Sequence, residues 1–327
     1  MTLSTLLKSA PWQAPLRRGG CVTKLLLVGT LLTWQAPQVI AAAGHATIVS
    51  LTFDDGEMQS AAIPPLLDTG LKATFYVNSN LIRRSGPITN DDYLTKGELD
   101  TLFYNGYDIG GHTIDHVDLA TLSETAQRKA ICDDLKQLRQ WYGNRVYSFA
   151  YPFASVGPNT AGIVAGGCPG TYGPWHIPIG AYESARNVGQ SGDCPNCPPA
   201  ESLIPPKRYS LFSTESVLST DSLAALQDHV TVAESHGGGW VTMVFHKVCD
   251  GCDIYSVKLD TLVRFLVWLK ARASHGTYVR TVHQVIAGDY PGSPSSPLKP
   301  KLLSTTGLRA EAPHGLQAIA SDLFQQD

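Results

Sequence analysis

Two carboxylates stand side by side at residues 52–56, where the sequence reads TFDDG. They follow a β-branched, apolar stretch that predicts a buried strand at residues 47–53. Successive side chains of an extended chain point to opposite sides, so Asp54 and Asp55 can serve two purposes from one strand end. One carboxylate can bind a cation while the other acts as a base. An ordinary Asp-Gly turn after a strand is the alternative interpretation.

A second group consists of two histidines four residues apart, His112 and His116, in the sequence HTIDH. This spacing lets two imidazoles face one metal ion from a single helical turn. Gly110 and Gly111 precede them and allow the backbone to turn sharply and to approach a neighbour closely. Two imidazoles and one carboxylate leave coordination positions open for water and substrate, as a catalytic metal site requires.

Two weaker signals follow other predicted strands. The sequence FAYPF ends at Phe153, and Pro152 fixes the backbone so that the N–H of Phe153 can point into a site. His246 ends a strongly apolar strand, VTMVF. Taken alone, each signal is more typical of a core strand and its turn than of a catalytic site.

Short apolar strands alternate with helical patterns between residues 47 and 281, which predicts a parallel sheet with helices outside it. The candidate residues come directly after four different strands, as they do in barrel enzymes, so the pattern favours a barrel over an open sheet. Residues 168–219 are rich in Gly and Pro, and we expect them to form an elaborated loop over the site.

In this order and spacing, the four motifs resemble the polysaccharide deacetylases of the NodB-homology group, also called carbohydrate esterase family four. The resemblance extends over residues 47–286. It implies an α/β fold, a distorted (β/α) barrel of about seven parallel strands, with one divalent metal ion. That ion is most often zinc, and cobalt or nickel replaces it in some members. The implied reaction removes N-acetyl groups from a polysaccharide such as chitin, peptidoglycan or poly-N-acetylglucosamine.

The resemblance also assigns roles by motif. It gives three metal ligands: Asp55, His112 and His116. It makes Asp54 the general base and His246 the general acid, and the backbone N–H of Phe153 an oxyanion donor. An arginine that the family commonly carries two residues before the motif proline is replaced here by Ala150, and Ala154 replaces the usual glycine. We hypothesise that Arg186, from another strand, orients Asp54 instead. The family's Asp/Trp groove motif has no clear match.

Three alternatives remain open from the sequence. An O-acetyl esterase or a small-amide or cyclic-imide hydrolase would use the same fold and site. A catalytically inactive glycan-binding protein would keep the fold without the reaction. The two C-x-x-C units at residues 194–197 and 249–252 are also compatible with thiol redox chemistry or with a structural zinc site.

The composition is that of a folded protein. The chain has 327 residues, of which 43% are hydrophobic and 16% charged. Its net charge of −3 gives no support for nucleic-acid binding. We expect one catalytic domain at residues 46–288, a mobile tail at residues 291–327, and a monomer that binds an N-acetylated glycan.

The first 43 residues read as a signal peptide. Basic residues precede an apolar stretch at residues 25–32, and the small residues at 41–43 form a cleavage pattern. An uncleaved membrane anchor is the alternative. We therefore expect a secreted, extracellular or cell-wall protein. Six cysteines follow this segment, and the simplest pairing joins Cys132 to Cys168 and leaves the C-x-x-C cysteines to pair among themselves.

Overall fold

The computed structural model of the chain describes residues 46–87, 92–192 and 196–293. The predicted signal peptide at residues 1–43 lies outside this part, as does all of the predicted tail except residues 291–293. None of the helices in the described ranges combines the length and the apolar character that a membrane crossing needs.

Strands and helices alternate along most of the described chain, as the sequence pattern predicts. The twelve strands found there are β1 (Thr47–Asp55), β2 (Ala73–Val77), β3 (Asp108–Gly111), β4 (Ser148–Ala150), β5 (Cys168–Tyr172), β6 (Ile177–Gly180), β7 (Ser184–Gln190), β8 (Leu211–Ser213), β9 (Gly239–Phe245), β10 (Lys247–Val248), β11 (Ser256–Val257) and β12 (Thr277–Val279). The seven α-helices found there are α1 (Ile63–Thr69), α2 (Lys96–Tyr104), α3 (Glu124–Tyr142), α4 (Thr160–Gly166), α5 (Leu223–Ser235), α6 (Leu259–Ala271) and α7 (Val282–Ile286).

Seven parallel strands form a nearly closed barrel. Their order round the ring is β9, β1, β2, β3, β4, β7 and β8. The segment after β8 closes the ring against β9, because Thr214 N–H donates to Thr242 O and Val217 N–H donates to Val244 O, each at 2.9 Å. β12 pairs with residues 47–49 of β1 and completes the sheet outside the ring. The predicted fold class, a distorted (β/α) barrel of about seven strands, is confirmed.

The strand β1 shows how the barrel wall separates two environments. Phe53 packs in the large hydrophobic cluster shared with the helices, where it stacks on Phe75 (ring centroids 4.9 Å apart) and Phe245 (5.2 Å). Ile48 belongs to a smaller cluster with residues of β2, β4, β8 and β9, which is the interior of the barrel. Side chains alternate along a strand, so Asp54 lies on the interior side with Ile48.

Small residues on β3 and β4 make room inside the barrel. A Cβ atom added to Gly110 would lie 2.6 Å from the ring of Tyr76, and Ala150 packs in the same interior cluster as Tyr76. The close backbone approach expected at Gly110 and Gly111 is confirmed. The sharp turn expected there is wrong, because both glycines continue the extended strand β3.

The expectation that residues 168–219 form one elaborated loop is wrong. They contain the antiparallel hairpin β5–β6 and two strands of the barrel, β7 and β8. The first three residues of β7, Ser184, Ala185 and Arg186, are all buried, yet two of them are polar. A strand with a polar inward face lacks the apolar signature on which sequence reading relies.

The cysteine pairing expected for Cys132 and Cys168 is confirmed, and their disulfide ties α3 to β5. Cys249 and Cys252 also form a disulfide with each other. Cys197 is disulfide-bonded, and Cys194 lies outside the described residues. Cysteines 249 and 252 are therefore paired with each other instead of offering thiolates to a structural zinc ion.

Removing the disulfide between α3 and β5 should destabilise the barrel. It closes a loop with a sequence separation of 36, for which chain entropy gives about 3–4 kcal/mol of stabilisation. Cys132→Ser combined with Cys168→Ser should lower the free energy of unfolding by that order, measured by urea denaturation. Replacing Cys249 and Cys252 should lower the free energy of unfolding by less, because their disulfide closes a loop with a sequence separation of only 3. An equal or larger loss from the second pair would contradict this ranking.

Candidate metal centre

Three side chains from two strand ends meet at one edge of the barrel. Asp55 ends β1, and His112 and His116 follow β3, which is separated from β1 only by β2. The Nε2 atoms of His112 and His116 lie 3.3 Å and 3.1 Å from Asp55 Oδ1. One ligand atom from each of the three residues lies within 4.8 Å of the others. This triad is the set that the sequence predicts as metal ligands.

The hydrogen-bond chemistry of the triad favours a cation. His112 Nδ1 lies 2.8 Å from the carbonyl oxygen of Ala150, which only accepts, so Nδ1 carries a proton. In a neutral ring the lone pair of Nε2 then faces Asp55 Oδ1, and two acceptors at this distance repel each other. A proton on each imidazole would relieve its own contact, whereas a single divalent ion would satisfy all three atoms. The residues therefore fit a metal ion.

Charges in the triad shift two pKa values in the same sense. Burial opposes ionisation of Asp55, but hydrogen bonds from His112 and His116, which need a proton on each Nε2, outweigh it and hold the Asp55 pKa well below its ordinary value. Burial likewise opposes protonation of His112, yet the hydrogen bond to Asp55 and the charges of Asp54 and Asp55 raise the His112 pKa. The site is thus arranged to keep a negative oxygen beside a positive charge.

The two histidines do not lie on a helical turn, contrary to the prediction. The chain from His112 to His116 is a loop, and its backbone is left-handed at Thr113 (φ 64°) and His116 (φ 54°). Asp55 is also left-handed (φ 76°). The loop is closed locally, because Val117 N–H donates to Thr113 Oγ1 at 3.1 Å. Strained residues of this kind cost about 1–3 kcal/mol each and are concentrated at functional sites.

Asp54 forms a buried ion pair with Arg186 beside the triad. The Arg186 Nη2 atom contacts Asp54 Oδ1, and the side chains are 0% and 2% exposed. Arg186 lies directly opposite Ala150 in the pairing of β4 with β7, and its guanidinium carbon is 4.9 Å from the centroid of the Tyr76 ring. The structure therefore places an arginine against Asp54 from the strand next to the position where the family commonly carries one.

His246 and Phe153 flank the triad. His246 follows β9, and burial lowers its pKa, although the charges of Asp54 and Asp55 act in the opposite direction. Its Nδ1 atom is buried without a hydrogen-bond partner in the described part of the chain. The ring of Phe153 is 63% exposed and lies 4.5 Å from that of His116, and the residue is left-handed (φ 58°). Ala154, which replaces the family's glycine, is left-handed too (φ 51°).

Three charged side chains next to His246 were not predicted from the sequence. Lys247 Nζ lies between two carboxylates, 3.3 Å from Glu57 and 3.1 Å from Asp253. The half-exposed ring of Tyr255 lies 5.5 Å from that of His246, and the disulfide of Cys249 and Cys252 closes the intervening loop. The only sequence signal was the Cys-x-x-Cys unit directly after the strand-end histidine.

Asp134 and Asn78 were also missed, although both are completely buried and both hydrogen-bond to the backbone of His112. A sequence signal existed for Asp134. It follows Ala130 by four residues on the buried face of α3, where an acidic residue is unexpected.

Comparisons with known proteins match part of the chain to a family model and find several similar proteins. Residues 42–165 match the family model described as polysaccharide deacetylase. A Bacillus subtilis (strain 168) protein, provisionally named polysaccharide deacetylase YxkH, is 29% identical over 114 residues. That alignment covers 34% of this chain and 39% of the relative, so the chain spans about two fifths of the length of the curated protein it matches.

Solved structures of similar shape include a family 4 acetyl xylan esterase from Clostridium thermocellum in complex with a cobalt ion. It has a TM-score of 0.48 and 18% identity, over 76% of this chain and 95% of the other. The Bc1960 peptidoglycan N-acetylglucosamine deacetylase has a TM-score of 0.45 and 16% identity, over 74% and 89%. The peptidoglycan deacetylase PdaC from Bacillus subtilis has a TM-score of 0.43 and 15% identity, over 73% and 90%.

The matched segment contains three of the four motifs, and both Arg186 and His246 lie beyond it. The resemblance that the motifs indicate is therefore confirmed for residues 42–165, the segment that matches the polysaccharide deacetylase family model.

Proposed function

We propose that the protein is a metal-dependent hydrolase that removes N-acetyl groups from a polysaccharide. The observation that carries this proposal is the convergence of Asp55, His112 and His116 on one point, beside the buried Asp54–Arg186 pair. The donor set of two imidazole nitrogens and one carboxylate oxygen is typical of catalytic zinc. We therefore propose Zn²⁺ as the metal, with Co²⁺ or Ni²⁺ as substitutes.

Asp55, His112 and His116 would hold the metal ion, which would supply Lewis acidity to the substrate's carbonyl and make water easier to deprotonate. The remaining steps belong to side chains of this chain. Asp54 is the general base that takes a proton from the attacking water. Arg186 occupies Asp54 Oδ1 and fixes the carboxylate, which leaves Oδ2 to accept that proton. A buried guanidinium that cannot lose its own proton is suited to this orienting role.

Two further groups complete the reaction. We assign the N–H of Phe153 to the oxygen that becomes negative when water attacks the amide, a contact worth about 3 kcal/mol in comparable sites. His246 gives a proton to the departing sugar amine, which is otherwise a poor leaving group. Burial lowers the His246 pKa, which makes the protonated ring a stronger acid towards the departing amine.

We further propose that the protein acts outside the cytoplasm. The sequence of residues 1–43 reads as an export signal. Disulfides such as Cys132–Cys168 and Cys249–Cys252 persist in oxidising compartments. An extracellular or cell-wall glycan is therefore the expected substrate.

The substrate class is tested by measuring acetate release from chitin oligomers, peptidoglycan and acetylxylan side by side, with the zinc-loaded protein. We expect acetate from an N-acetylated glycan and little from acetylxylan, and a chelator should stop the release. Acetate from acetylxylan alone would make the protein an O-acetyl esterase. Small amides and cyclic imides are tested in the same way for hydrolysis. A protein that binds metal but hydrolyses none of these substrates would be an inactive glycan-binding protein.

Two variants separate the base from the metal ligands. Asp54→Asn should lower turnover by about 10²- to 10⁴-fold while the zinc content stays unchanged, because the amide cannot accept the proton. His112→Ala should lose zinc and activity together, measured by elemental analysis after dialysis. His236→Ala, at the exposed end of α5, is the matched control and should retain both. Full metal-dependent turnover by Asp54→Asn would show that Asp54 is not the base.

A further inference from the structure

A carboxylate without an assigned role lies behind the metal centre. Asp134, on α3, is completely buried. Its Oδ1 atom accepts a hydrogen bond from Ser79 N–H at 3.0 Å, and its Oδ2 atom accepts one from His112 N–H at 3.1 Å. Ser79 follows the end of β2 and His112 follows the end of β3. A single side chain thus bridges the ends of two neighbouring barrel strands at the point where the triad forms.

The residues around Asp134 allow α3 to lie unusually close to β3. A Cβ atom on Gly111 would lie 2.8 Å from Asp134 Oδ2 and 2.0 Å from the hydroxyl of Tyr182, so only glycine lets α3 approach β3 this closely. The Tyr182 hydroxyl is buried and has no hydrogen-bond partner in the described part of the chain. Asp134 forms no ion pair with a Lys or Arg side chain there either.

This arrangement is a costly way to hold a helix against a sheet. An unpaired carboxylate in a buried site loses its hydration, which opposes folding. The burial of Asp134 is therefore offset only by what its two oxygens bind. The two backbone N–H groups that it accepts from are the part of the site that an apolar residue would leave unsatisfied.

Asp134 contributes one of three restraints that fix His112 completely. The N–H of His112 is bound by Asp134, and its carbonyl oxygen accepts from Asn78 Nδ2 at 2.5 Å. The ring is held by the carbonyl of Ala150 through Nδ1. With the backbone and the ring both held, Nε2 faces Asp55 Oδ1 at 3.3 Å.

We propose that Asp134 is a positioning residue of the metal centre, which fixes the backbone of His112 against the end of β2 and thereby sets the direction of its Nε2 atom. This inference rests on the proposed metal site and is independent of the glycan that is deacetylated. Partners that orient the ligands of metal sites typically contribute about 10- to 100-fold to metal affinity.

The variant Asp134→Asn tests this role, because the side chain keeps its shape but turns one acceptor into an NH₂ group that faces a backbone N–H. We expect Co²⁺ and Zn²⁺, each titrated alone into the metal-free protein, to bind about 10- to 100-fold more weakly. The visible absorption of the Co²⁺ form should also change, because it reports ligand geometry. Asp134→Ser, which loses one acceptor without adding an N–H, should show the same weakening and serves if the first variant does not fold.

Asp133→Asn is the matched control on the same helix. Asp133 is 41% exposed and pairs with Lys129 at the surface, so its variant should bind Co²⁺ like the original protein. Unchanged Co²⁺ affinity and absorption in both Asp134 variants, with only a lower melting temperature, would overturn the positioning role. If the original protein itself bound neither metal, the proposed function would fail instead, so the two failures are distinguishable.

Discussion

Three atoms that all carry lone pairs are held together at the edge of the barrel. The Nε2 atoms of His112 and His116 both face the same oxygen of Asp55, and His112 is buried. Such atoms repel one another unless a positive charge lies between them, so the polypeptide must hold them there by other means. The left-handed residues at Asp55 and His116, the glycines of β3 and the buried Asp134 are all parts of that restraint.

The barrel supplies the restraint because its parallel strands end at a common edge. Hydrophobic side chains such as Phe53, Phe75 and Phe245 pack β1, β2 and β9 against the helices outside. The inward face carries the smaller apolar cluster that contains Ile48, together with polar groups near the strand ends. Asp54 and Arg186 use that face as a buried ion pair. A charged pair of this kind contributes little to stability by itself, and its value lies in fixing the geometry of the carboxylate.

The sequence predicted the barrel and the residues that meet at its edge, because the four motifs each follow a strand and parallel strands end together. The location of Arg186 against Asp54 was also foreseeable, because Ala150 removes the arginine expected on the neighbouring strand. The strands β7 and β8 were not foreseen, since polar inward residues hide the period of two. The loop geometry of His112 and His116 and the role of Asp134 depend on contacts between β2, β3 and α3, which no local pattern records.

The central claim is that one ion is bound by two imidazoles and one carboxylate. X-ray absorption at the zinc edge of the reconstituted protein tests it most directly, because it distinguishes nitrogen and oxygen ligands at about 2.0–2.2 Å from sulfur at about 2.3 Å. We predict two imidazole ligands with oxygen donors and no sulfur. A sulfur shell, or a spectrum without imidazole that His112→Ala leaves unchanged, would show that the ion lies elsewhere and that this centre is not the metal site.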